Sequence, residues 1–91
     1  MNKYEKHKYI CETLNDIYRS KNHDYGDSFG ESFEEFGAIS AIVRIDDKHR
    51  RLKQLLINKT DQQVKDESAI DTALDMANYL IMLAMELEGS K

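Results

Sequence analysis

Glu67, Asp71, Asp75 and Asn78 follow one another at steps of four, four and three residues, a spacing that stacks four oxygen-bearing side chains along one stripe of a helix. Like charges placed this way weaken a helix by about 0.2–0.5 kcal/mol per pair, so a positive partner is expected. Mg²⁺ is one candidate, because it takes a few carboxylates and completes its shell with water and ligand phosphates. Glu67, Asp71 and Asp75 are then the candidate metal ligands and Mg²⁺ the expected cofactor.

The other candidate is the run Arg44-Ile45-Asp46-Asp47-Lys48-His49-Arg50-Arg51. Arg44 and Asp47 are three apart and Asp47 and Arg51 four, so an ion-pair ladder could hold guanidinium groups in positions that suit phosphate. A plainer reading leaves both charge runs on a solvated helix face, where exposed pairs contribute little.

A third group surrounds Gly26. Tyr25 and Phe29 stand among Asp24, Asp27 and Ser28, a mixture suited to stacking on a base while polar groups read its edges or ribose. Alternatively the two aromatics plug the end of a bundle. Asp24, Tyr25, Phe29, Arg44, Asp47, Lys48, Arg51 and Asn78 are the candidate ligand-binding residues. No residue stands out as a catalytic nucleophile. Cys11 falls on an apolar helix side and is expected to be packed, and His7, His23 and His49 lack the spacing of a zinc motif. Met76, Met82 and Met85 read as core filler.

These side chains must be carried by helices. The chain has no proline, and its glycines fall only at 26, 30, 37 and 89. Ile10, Leu14, Ile17 and Tyr18 make one amphipathic face of a helix over about 3–21. A functional loop is expected over 22–31, followed by a second helix over about 32–57. The first half of that helix is apolar all round, as expected for a helix buried between neighbours. Thr60 and Gln63 can form a capping box ahead of a third helix over about 62–88, stopped at Gly89. The expected fold is all-α, a single domain over 1–91 forming a three-helix unit. Three such helices cannot readily cover the apolar middle one, so the unit is expected to assemble into a larger homo-oligomeric bundle, at least a dimer, with the site near the subunit boundary.

Composition narrows the function. Thirteen basic and 17 acidic residues leave a net charge of −4, which argues against long nucleic acids as partners. No apolar run reaches membrane-spanning length and no leader opens the chain, so a cytoplasmic protein is expected. One cysteine cannot form an internal disulfide.

The blocks Lys21-Asn22-His23-Asp24-Tyr25-Gly26-Asp27-Ser28-Phe29, Arg44 to Leu52 and Glu67 to Tyr79, taken in that order, resemble the phage-borne nucleotide-modification-associated domain of the first type. The resemblance covers roughly residues 10–87. It implies a small helical protein of phages or related mobile elements, working in the cytoplasm of an infected bacterium and connected with nucleotide metabolism. More distantly, the chain is similar to MazG-like all-α nucleoside triphosphate pyrophosphohydrolases, which hold Mg²⁺ with an ExxE motif and a later ExxD. Glu31-Ser32-Phe33-Glu34 spells the first half. Asp75 could end the second, but Thr72 stands three residues before it and the nearest acid is Asp71.

Three functions follow as expectations. The first is binding of a nucleotide or nucleotide-derived signal, sequestering an immune messenger as an anti-defence protein. The second is Mg²⁺-dependent pyrophosphohydrolysis in which Glu67, Asp71 and Asp75, joined by Glu34, hold the metal. The third is a helical interaction module that inhibits a host protein.

Overall fold

The computed structural model describes residues 1–59 and 68–89. Among them are four α-helices and no strand, so the protein is all-α: α1 spans Lys3–Tyr25, α2 Ser28–Phe36, α3 Ala38–Leu52 and α4 Ala69–Gly89. None of the described helices is long and apolar enough to cross a membrane. The Asn2 side chain starts α1, accepting from the Glu5 amide at 2.9 Å while its own amide reaches the Glu5 carboxylate. This reciprocal pair satisfies a donor that the first helical turn leaves over.

The expected loop over 22–31 is a tight corner between two helices. α1 continues to Tyr25, Gly26 closes it by donating to the Asn22 carbonyl, and Asp27 caps α2 by accepting from the Gly30 amide at 3.1 Å. The expected single helix over 32–57 is likewise divided. Gly37, at φ 79° and ψ −168°, ends α2 and opens α3. Gly26 has nearly the same backbone angles, in a region open essentially to glycine alone. The two glycines therefore set the boundaries between α1 and α2 and between α2 and α3. After α3 the chain widens into a π-helical turn over Lys53–Ile57, closed by the Asn58 amide on the Lys53 carbonyl.

The expected capping box at Thr60 and Gln63, and the start of the third helix near 62, lie outside the described residues. Within them, Ser68 and Asp71 bracket the first turn of α4: the Asp71 amide donates to the Ser68 hydroxyl at 3.1 Å, and that hydroxyl donates back to the Asp71 carboxylate at 2.9 Å. α4 is described through Gly89, so the expected stop there lies at the edge of the described residues.

α3 lies along α4, α2 folds back on both, and α1 crosses α4. Leu14, Phe29 and Ala41 are the buried hydrophobic residues among those described, joined by Thr72 and Asn78. Thr72 satisfies its hydroxyl locally, on the Ser68 carbonyl at 2.9 Å. Asn78 donates its side-chain amide to the main-chain carbonyl of Leu14 at 3.1 Å, pinning α1 to α4. The N-terminal half of α1 and the outer sides of α3 and α4 stay exposed within one chain. Cys11, expected to be packed, is exposed, with its Sγ 3.7 Å from His7 Nδ1; α1 projects beyond its crossing with α4, so nothing covers that turn.

Candidate functional site

Where α1, the Gly26 corner, α3 and α4 meet, they enclose a cleft of about 370 Å³. α1 supplies Ile17, Tyr18, Lys21, Asn22 and Tyr25; Arg44 comes from α3, and Asp75, Asn78, Tyr79 and Met82 from α4. Tyr18, Lys21 and Tyr25 lie on the same side of α1 as buried Leu14, because steps of three and four return to one helix face.

Asp75 is the electrostatic centre. Its Oδ2 lies 3.2 Å from Lys48 Nζ and its Oδ1 3.5 Å from Lys21 Nζ. The Lys48 and Asp75 side chains are only 21 % and 23 % exposed, so their attraction is less screened than at an open surface. Lys21 and Arg44 thus share the cleft wall with two carboxylates, Asp27 and Asp75, and Lys48 adds a third cation behind Asp75.

Arg44 does not build the expected ladder with Asp47. Its guanidinium reaches back to the Ser32 hydroxyl at 3.4 Å and lies over the Phe29 ring, 5.5 Å from its centroid. Phe29 in turn stacks with Tyr79 at 6.0 Å and is 3 % exposed. This layer of cation and two rings fixes the guanidinium, with a worth of about 1 kcal/mol per contact. Arg44 and Tyr79 also border a neighbouring hollow of about 360 Å³ lined by Asp47, Lys48 and Arg51. The pair thus stands between the cleft and a basic annex. Further along α3, Asp46 accepts from Arg50 at 2.8 Å on open surface, and this donor holds the Asp46 carboxyl below its ordinary range.

The candidate residues therefore fall into separate groups. Tyr25, Arg44, Asp75 and Asn78 meet at the cleft, and Lys48 reaches it through Asp75. Asp47 and Arg51 line the annex. Phe29 borders the cleft as well but is packed into the core against Arg44 and Tyr79, so of the two aromatics expected to stack on a base Tyr25 is the open one, at 76 % exposed. Asp24 pairs with His23 at 3.1 Å on exposed surface and is absent from the cleft wall.

The acidic stripe is divided as well. Asp71 is engaged in the first turn of α4 and Asp75 by two lysines; Glu67 lies outside the described residues. Among those described, no three acidic, histidine or cysteine side chains gather as a donor set. Lys21, Tyr18 and Tyr79 were missed as site residues. The α1 face was the signal for the first two, since it continues one turn past Ile17 and Tyr18.

The architecture is that of a small helical protein with an aromatic cleft centred on a shared carboxylate. A family profile described as Nucleotide modification associated domain 1 matches residues 21–87, which takes in the Gly26 corner, α2, α3 and α4. The chain belongs to that family. No curated protein and no solved structure matches it.

Proposed function

We propose that the cleft binds a nucleotide or nucleotide-derived signal, with Tyr25 against the base and Lys21, Arg44 and Lys48 facing the phosphates. The convergence of Lys21 and Lys48 on Asp75, from different helices and beside an open tyrosine, carries this reading. Such a wall offers the two things a nucleotide needs, an aromatic face and fixed positive charge. The annex at Asp47, Lys48 and Arg51 gives room for further phosphate.

Binding is favoured over Mg²⁺-dependent hydrolysis because the described acids are committed elsewhere, Asp75 to lysines and Asp71 to the start of α4. In a phage setting, a protein that holds a nucleotide messenger intact would withdraw it from the host's defence, and sequestration is the biological role proposed. The test is a nucleotide panel, with and without Mg²⁺, followed by thermal shift and by analysis of the released ligand. A bound ligand at about 100 times its Kd adds roughly 2.7 kcal/mol of stability. Recovery of an unchanged nucleotide supports the proposal. Chelator-sensitive product formation would replace it with hydrolysis, and a flat panel with a protein-interaction role.

A further inference from the structure

Ile70, Ala73, Ala77, Leu80, Ala84 and Leu87 recur along α4 at steps of three, four, three, four and three. This is the a/d spacing of a helix that packs lengthwise on another helix. In the folded chain the stripe faces away from the protein: Ile70 is 72 %, Leu80 47 % and Leu87 52 % exposed. Asp75, Tyr79 and Met82, which line the cleft, lie on the opposite side of the same helix. We infer that this stripe is the seam of a homodimer in which α4 pairs with the α4 of a second copy, antiparallel, about a two-fold axis passing between Ala77 and Leu80.

A second copy fits better than a foreign partner because the seam is complementary to itself. Reversed about that axis, Ile70 meets the partner's Leu87, Ala73 meets the partner's Ala84 and Ala77 meets the partner's Leu80. Large side chains then close both ends, and the alanine layers let the backbones approach. A two-fold interface requires such self-matching. The antiparallel sense follows from charge. A parallel pair would bring Glu88, which flanks the stripe, beside its own copy and align the two helix dipoles side by side, whereas reversal separates the acids and sets each helix's negative end by the other's positive end.

The area is sufficient. Ile70, Leu80, Leu87 and the flanking Ile81 are each about half exposed or more, and Ala73 and Ala84 of the stripe are exposed as well. Together they offer roughly 1,000 Å² of apolar surface over two copies, the size at which an interface becomes specific. The single chain is also more extended than a compact chain of this length, with a radius of gyration of 14.6 Å against about 12 Å. A seam on the far side of α4 leaves both clefts open, so pairing does not depend on the ligand.

The inference is tested by sedimentation equilibrium and by directed disulfides. At micromolar concentration the full chain is expected at twice its 10.6 kDa mass, and Leu80→Glu at the single-chain mass with its helical circular dichroism kept. A single-chain mass for the unaltered protein overturns the inference, as does a dimer indifferent to Leu80→Glu. Should Leu80→Glu fail to fold, the disulfides decide. In a Cys11→Ser background, mixed Ala73→Cys and Ala84→Cys proteins are expected to oxidise to a cross-linked dimer of unlike chains, while neither alone does, because each cysteine would lie about 16 Å along the axis from its own copy. Cross-linking of like chains, or none from the mixture, refutes the antiparallel register.

Discussion

Lys48 Nζ sits 3.2 Å from Asp75 Oδ2, joining α3 to α4 across the wall of the cleft. Lys21 approaches the other oxygen, so one carboxylate neutralises part of two cations. Replacing Asp75 with Asn is expected to act in opposite directions on fold and ligand. Stability falls by about 1–2 kcal/mol as a half-buried ion pair is lost. Affinity for a phosphate-bearing ligand rises about fivefold, the factor that corresponds to roughly 1 kcal/mol for a unit charge at 4 Å in water. Isothermal titration of the variant checks the sign; a weaker complex would assign Asp75 to the ligand itself.

Asn78 is expected to matter first for the fold. Its amide serves the Leu14 carbonyl, and Asn78→Ala leaves that acceptor buried without its donor, at about 1–3 kcal/mol. For a domain of this size each kcal/mol shifts Tm by about 4–8 °C. Thermal denaturation should therefore show a clear loss, and Asn78→Asp, whose carboxylate cannot donate, should not restore it.

Parts of this arrangement were legible in the sequence and others were not. The face of α1 could be read because Leu14, Ile17 and Tyr18 obey the helical period, and proximity of the basic run to Asp75 followed from complementary charge on neighbouring helices. The division at Gly37 was hidden. Apolar residues continue on both sides of it, and only the backbone angles reveal a turn. Asp71 was legible in principle: Ser68 and Asp71 have the spacing of a helix cap, a local role that competes with the acidic stripe. Phe29 could not be placed by residue type, because an aromatic beside a glycine suits either a ligand or a core; packing with Tyr79 and Arg44 decides it.

Gly37 and Gly30 should fail for different reasons. A Cβ at Gly37 meets nothing within 4 Å, so Gly37→Ala costs about 1–3 kcal/mol purely in backbone strain. A Cβ at Gly30 would overlap the Asp27 carboxylate, the group that caps α2. Gly30→Ala and Asp27→Ala therefore damage the same contact, and the double variant should lose less stability than the two single losses added. Urea denaturation of the four proteins supplies the cycle; strict additivity would contradict a shared contact.

The Asp46–Arg50 pair makes a pH prediction of modest size. Hydrogen bonding from Arg50 lowers the Asp46 carboxyl below its model-compound value of 3.8. A depressed folded value means that the pair's contribution is present above the unfolded pKa and is lost as pH falls through the folded one. Arg50→Gln should accordingly lower Tm slightly near neutrality, the difference disappearing once the pH falls below the lowered Asp46 value. Both side chains face solvent, so added salt should shrink the difference as well. A Tm difference that persists in acid would place the effect of Arg50 elsewhere than in this pair.

Tyr25 separates binding from folding more cleanly than any other residue of the cleft. It lies at the last turn of α1, largely exposed, and borders the cleft beside Gly26. Removing its ring should leave Tm within about 2–4 °C, since surface substitutions usually stay within about 0.5 kcal/mol. Loss of base stacking, by contrast, is worth about 1–3 kcal/mol, so Tyr25→Ala should weaken nucleotide binding roughly 5- to 150-fold. Tyr25→Phe keeps the ring and should keep most of the affinity, whereas a ligand held through the hydroxyl would discriminate against it. Titrating the same nucleotide into both variants distinguishes these outcomes. Equal affinity for Tyr25→Ala and the unaltered protein would remove Tyr25 from the site.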